Sequence, residues 1–150
     1  MQKAIEIARL GVEKGQSPFG ACIVTDGRII AYAHNTVVAT HDPTAHAEVN
    51  AIRKACQKLK THQLSGFSIF STCEPCPMCF SAIHWAKIDK IIYGASISDA
   101  KSFGFSELEL SNKQIIDLTG SKMSIQPGYM AAQCLELFEY WHSKPDKSPY

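Results

Sequence analysis

Hydrophobic and polar positions along this chain switch repeatedly between a helical period and a strand-like one. Over residues 2–14, Ile5, Ala8 and Val12 share one helical face, charges take the other, and Gly15 supplies a C-terminal stop. Ser17-Pro18 breaks that helix. Two β-rich runs follow, Gly20 to Thr25 and Arg28 to His34, with Asp26-Gly27 between them as the signal of a tight hairpin. A polar, irregular connection leads to Asp42-Pro43-Thr44, where either Asp42 or Thr44 suits an N-cap and Pro43 a first helical position. The pattern then predicts a helix from Ala45 to about Leu59, with Val49, Ile52, Ala55 or Cys56, and Leu59 at helical spacing. Phe67 to Thr72 is short, apolar and β-branched, and reads as a strand buried on both faces. A helix is expected from Pro75 to about Ala86; Pro77 is tolerated in its first turn, where its missing N–H is an orphan anyway. Beyond it come a strand at Lys90 to Ile97, a weak helical segment near Lys113 to Leu118, a short strand at Met123 to Gln126 and a last helix from Tyr129 to about His142. Helices between successive strands argue an α/β sandwich around a mixed sheet. The hairpin strands should be antiparallel and the helix-linked strands parallel.

Composition narrows this further. With 150 residues and 45% apolar content, the chain is expected to form one domain over residues 1–150 with a real core. Residues 143–150, SKPDKSPY, form a polar, Pro-containing tail that needs something to dock on. The net charge of +1 and pI near 7.6 provide no strong basic field, so nucleic acid is not an expected partner. No apolar run approaches the ~18 residues of a membrane span. The charged, helical-period start MQKAIEIARLGVEKG lacks the apolar block of a signal peptide, and cytoplasm is the expected compartment.

The cysteines change the picture most. Cys22, Cys56 and Cys134 stand singly in apolar runs, as buried inert thiols do, but Cys73, Cys76 and Cys79 cluster between a strand and a helix. In a reducing compartment such a cluster suits a metal better than a disulfide framework. Cys76 and Cys79, at i and i+3 in a first helical turn, point from one face, and the helix dipole favours their thiolates. His46, at the start of another predicted helix, can complete a three-ligand set, leaving a zinc ion its fourth position for water, as in catalytic sites. Glu48 falls roughly 200° around the helix from His46, by the ~100° step per residue, which argues against shared ligation. It stays available as a proton carrier near a water of lowered pKa. Cys73 as a fourth ligand, closing a purely structural site, remains an alternative; no further cysteine has the spacing for an iron–sulfur cluster.

His-Ala-Glu followed by Pro-Cys-x-x-Cys after a strand is the signature of the zinc deaminases. The chain resembles the cytidine deaminase-like superfamily over nearly its full length. Asp42-Pro43-Thr44-Ala45-His46-Ala47-Glu48-Val49, Cys73-Glu74-Pro75-Cys76-Pro77-Met78-Cys79, Pro18-Phe19-Gly20-Ala21, Asn35 and Ala82-Ile83-His84-Trp85-Ala86 look most like bacterial guanine deaminases. The resemblance implies a three-layer α/β/α sandwich around a mixed five-stranded sheet. It implies Zn2+ held by His46, Cys76 and Cys79, with Glu48 shuttling protons. It makes Asn35 the base-binding amide and Trp85 an aromatic that closes the pocket. Guanine deaminases carry an acid just after a Gly-Phe pair; here Gly104-Phe105 is followed by Ser106-Glu107, so Glu107 is the candidate, shifted by one and lengthened. Tyr150 matches their C-terminal tyrosine, and their tails exchange between subunits, which implies a homodimer.

The expected substrate is a small nucleobase or nucleoside, guanine first. A nucleoside, a pyrimidine-type base or adenosine in transfer RNA is the alternative from the same chemistry. The segment Ser98 to Phe105 lacks the Lys-Thr-Gly-like stretch common in the transfer-RNA enzymes. A non-catalytic zinc module is the alternative from another class.

Overall fold

The computed structural model describes residues 1–149, so Tyr150 lies outside the described residues. Its elements run α1 (Gln2–Glu13), β1 (Gly20–Thr25), β2 (Arg28–His34), α2 (Val37–Thr40), α3 (Ala47–Leu59), β3 (Ser68–Cys73), α4 (Pro77–Trp85), β4 (Lys90–Ala95), α5 (Ile97–Ser102), α6 (Asn112–Thr119), β5 (Ser124–Gln126) and α7 (Ala131–His142). The five strands form one mixed sheet in the order β2-β1-β3-β4-β5. β1 is antiparallel to both β2 and β3, while β3, β4 and β5 run parallel. The expectations of an antiparallel hairpin and parallel helix-linked strands hold, with one refinement. β2 and β3, joined through α3, share a direction without touching, because β1 lies between them.

Small residues let the helices lie close to the sheet. α1 buries Ala4, Ala8, Gly11 and Val12, and a Cβ at Gly20 would collide with the Ala4 carbonyl and the Ala8 side chain. On the same face α7 buries Cys134, Leu137, Phe138 and Trp141, and Cys134 rests directly on Gly94. α3 covers the opposite face of β1 and β2, with α4 beside it. Its buried stripe is Ala47, Ala51 and Ala55, whereas Val49 is only half-buried and Leu59 is exposed. The apolar face expected from spacing was therefore rotated, because close approach to the sheet favours alanine over the larger residues. Lys54 and Lys58 extend from α3 to donate to the Tyr32 and Ile30 carbonyls of the edge strand β2. Lysines across a sheet edge discourage pairing with another chain. Among the described residues, no helix is long and apolar enough to cross a membrane.

Candidate active site

Two helix starts meet beyond the C-terminal end of β3, where the sheet changes from antiparallel to parallel neighbours. Both begin two residues later than the pattern predicts. α3 starts at Ala47 with His46 as its N-cap, and α4 starts at Pro77 with Cys76 as its N-cap. Pro77 takes the first-turn place expected of it. Asp42 and Thr44 cap no helix; Asp42 Oδ1 accepts from the Thr44 N–H and hydroxyl at 2.8 and 2.7 Å, building a turn. Asn50 Nδ2 then secures the loop, donating to the His34 carbonyl, Thr36 Oγ1 and the Ala45 carbonyl.

Because His46 has an extended backbone (φ −65°, ψ 158°), the angular argument that set Glu48 away from it does not apply. Both side chains face one cleft. His46 Nδ1 lies 3.5 Å from Cys79 Sγ and 3.7 Å from Cys76 Sγ. Zinc bonded to sulfur at about 2.3 Å and to nitrogen at about 2.0–2.1 Å in tetrahedral geometry separates such atoms by roughly 3.5 Å. The donor set therefore fits zinc in both chemistry and spacing, and the three ligand atoms lie within 4.8 Å of one another. Cys73 is outside that group; its thiol is buried and donates to the Ser96 carbonyl at 3.4 Å.

Local electrostatics prepare the ligands. The Cys79 thiol and His46 both donate toward Cys76, holding its thiol down at about 4 despite burial. The same thiolate, with burial, pushes the Cys79 thiol well up. At His46 burial opposes the cation, but Cys76 and Glu48 outweigh it and raise the pKa. These are the protons that a dication displaces on binding.

Glu48 is only 5% exposed, and burial pushes its carboxyl up. Its Oε1 accepts from Ser71 Oγ at 3.0 Å and its Oε2 from Cys79 Sγ at 3.5 Å. A cavity of about 10 Å³ joins the set, lined by Phe19, His46, Glu48, Cys73, Glu74, Cys76 and Glu107. Glu107 thus comes to the metal site, and burial and the Cys76 sulfur raise its carboxyl to about 7. Asn35 is fully buried next to this region but does not line the cavity; its Oδ1 accepts the Val37 N–H at 3.0 Å. Trp85, at the end of α4, is 75% exposed and does not line it either. Residues 145–149 of the tail are exposed.

Pattern reading missed Ser71, Glu74 and Asn112. Ser71 carried a usable signal, a hydroxyl in an apolar strand in the same alternation as Cys73. Glu74 and Asn112 act through tertiary contacts, although Ser96…Asp99 and Ser111…Gln114 are capping boxes that mark the helix starts involved.

Residues 1–95 match the cytidine and deoxycytidylate deaminase zinc-binding region. A guanine deaminase of Bacillus subtilis (strain 168) is 40% identical over 100% of this chain and 96% of its own. A tRNA-specific adenosine deaminase of Aquifex aeolicus is 45% identical over 63% of each chain. The solved guanine deaminase from Nitrosomonas europaea superposes with a TM-score of 0.88 at 25% identity, covering 95% of this chain and 82% of that one. Solved relatives of similar likeness hold 2,6-diaminopurine and 8-azaguanine. The matched region takes in every ligand that geometry brings together, and the chain accordingly belongs to the cytidine and deoxycytidylate deaminase zinc-binding family, as a zinc-dependent nucleobase deaminase.

Proposed function

We propose that the substrate is guanine, converted with water to xanthine and ammonia. The observation that carries this reading is Glu107. It hangs from the segment after Gly104-Phe105 and lines the same cavity as His46, Glu48 and Cys76. An ionised carboxylate only accepts hydrogen bonds, which suits the adjacent ring N–H and amino donors of guanine. The full-length likeness to a guanine deaminase supports it, since that match runs through Glu107. The likeness to the Aquifex transfer-RNA enzyme covers only 63% of the chain. The net charge of +1 likewise offers little attraction to a polyanion.

His46, Cys76 and Cys79 hold the metal, which when bound supplies Lewis acidity that makes water nucleophilic near neutral pH. Glu48 moves the protons. It accepts one from the attacking water, passes it to the ring nitrogen beside the amino-bearing carbon, and delivers the second to departing ammonia. Burial suits this work, because a carboxyl raised toward neutrality both takes and returns a proton readily. Glu107 orients the base, and Asn35 backs the cavity wall, its N–H donating to the carbonyl of the lining residue Phe19 at 3.0 Å.

Trp85 fits the reading through a second copy, and Tyr150, which lies outside the described residues, joins it through the resemblance to enzymes whose tails exchange. Trp85 is too exposed to serve this chain's own cavity, and an aromatic at that place can close a neighbour's. A homodimer with exchanged tails accounts for both. Removing residues 146–150 should then weaken turnover while zinc stays bound; a fully active truncation refutes the exchange.

An ammonia-release screen over guanine, guanosine, cytosine, adenine and transfer RNA tests the substrate. Guanine should lead, and Glu48→Ala should keep its zinc while losing nearly all turnover. Preference for transfer RNA, or a Glu48→Ala variant that retains full rate, overturns the assignment.

A further inference from the structure

Glu74 is a carboxylate with 7% exposure that the proton chemistry does not use. Its Oε1 accepts the Asn112 N–H at 2.8 Å and its Oε2 the Ile97 N–H at 3.3 Å. The Tyr93 hydroxyl bonds to the same side chain. Ile97 and Asn112 are the first residues of α5 and α6, positions whose N–H groups have no acceptor within their own helices. One carboxylate therefore serves the starts of both helices. Asn112 answers in the other direction, its Nδ2 donating to the Pro75 carbonyl at 2.6 Å.

The span between those two anchors carries Glu107. Within it, Phe105 is held against Phe19 and Trp141, with ring centroids 4.9 and 4.8 Å apart, so the segment cannot drift freely from the cavity floor. Both ends of the segment are thus tied to Glu74-Pro75, the two residues immediately before the ligand Cys76. A carboxylate suits the position because it offers two acceptors and no donor. A glutamine must turn its NH2 toward one of the two amides and leave that amide buried without an acceptor.

We propose that Glu74 is a positioning residue that registers Glu107 against the metal site, so that the distance between base-reading and base-attacking groups is set by one side chain. This rests on the role given to Glu107 above. The test compares Glu74→Gln in the wild-type and Glu107→Gln backgrounds, measuring zinc content, KM and kcat for guanine, and amide exchange across residues 97–112. With Glu107 present, Glu74→Gln should keep its zinc, raise KM by about tenfold and lower kcat less, on the scale of one buried amide left without an acceptor. In the Glu107→Gln background the same change should add little, because the residues act as a unit. Exchange at Ile97 and Asn112 should quicken.

Equal losses in both backgrounds, or an unchanged KM, overturn the proposal. If Glu74→Gln does not fold, Asn112→Ala removes only the return bond to Pro75 and should show the same dependence on Glu107. If guanine proves not to be the substrate, the assays move to the base that releases ammonia. Failure of the guanine reading is then distinct from failure here, which unchanged exchange at Ile97 and Asn112 would establish without any turnover.

Discussion

Replacing Ser71 with alanine isolates the control of Glu48. Ser71 is 1% exposed and donates its hydroxyl to Glu48 Oε1 at 3.0 Å, so water has little room to substitute for it. Hydrogen bonds to charged groups are worth about 1.5–3 kcal/mol, and about 1.4 kcal/mol corresponds to one pKa unit or a tenfold rate change. Losing the donor removes a bond that favours the ionised carboxylate, so the Glu48 pKa, already raised by burial, rises further. The sign follows directly. Glu48 must begin ionised to accept a proton, so at fixed pH fewer molecules are competent and the acidic limb of kcat/KM moves upward. Near neutral pH kcat should fall by about tenfold or more, with KM for the base close to wild type because Ser71 does not line the cavity. A pH–rate profile of the zinc-loaded variant reads both effects. Ser71→Thr, which keeps the donor, should restore most of the rate. A Ser71→Ala enzyme with unchanged kcat and an unmoved acidic limb refutes the coupling.

Gly94→Ala should lower stability, because a Cβ there falls 2.7 Å from the Cys134 Cβ and 3.1 Å from the Thr72 carbonyl. The overpacking should cost about 1–3 kcal/mol. Thermal melting should register it, and Cys134→Ala should recover part of the loss by removing the sulfur. Zinc affinity should rise with pH, because raised pKa values at His46 and Cys79 leave protons competing with the metal until they titrate. A competition titration with a chromophoric chelator at several pH values measures this, and a flat profile contradicts the assignment of both residues as ligands.

Much of this site was legible from residue spacing because its chemistry sits in short local patterns. His46, Glu48, Cys76 and Cys79 each lie beside a strand end or helix start that the hydrophobic pattern marks. What the pattern misjudged was where each helix begins. Two residues decide whether His46 belongs to a helix or to an extended segment, and with it whether Glu48 can share the cleft. The supporting groups were hidden for a different reason. Ser71, Glu74 and Asn112 draw their meaning from partners 23 to 38 residues away, and no local period encodes that. Asn35 shows the converse, since its turn-forming bond to Val37 is local and matches what an asparagine at a strand end ordinarily does.

The placement of His46 and Cys76 just ahead of their helices makes the metal a fastener as well as a catalyst. The two residues are 30 positions apart, and a bond through zinc closes that stretch of chain into a ring. The length-dependent entropy of closing such a ring is about 3 kcal/mol, comparable with a modest disulfide. A zinc-starved molecule is therefore expected to be slacker as well as inactive, with only the His46–cysteine hydrogen bonds left to join the starts of α3 and α4. It opens more often and offers proteases more chain. Loss of the metal should therefore register twice, as lost turnover and as faster proteolysis of the opened chain.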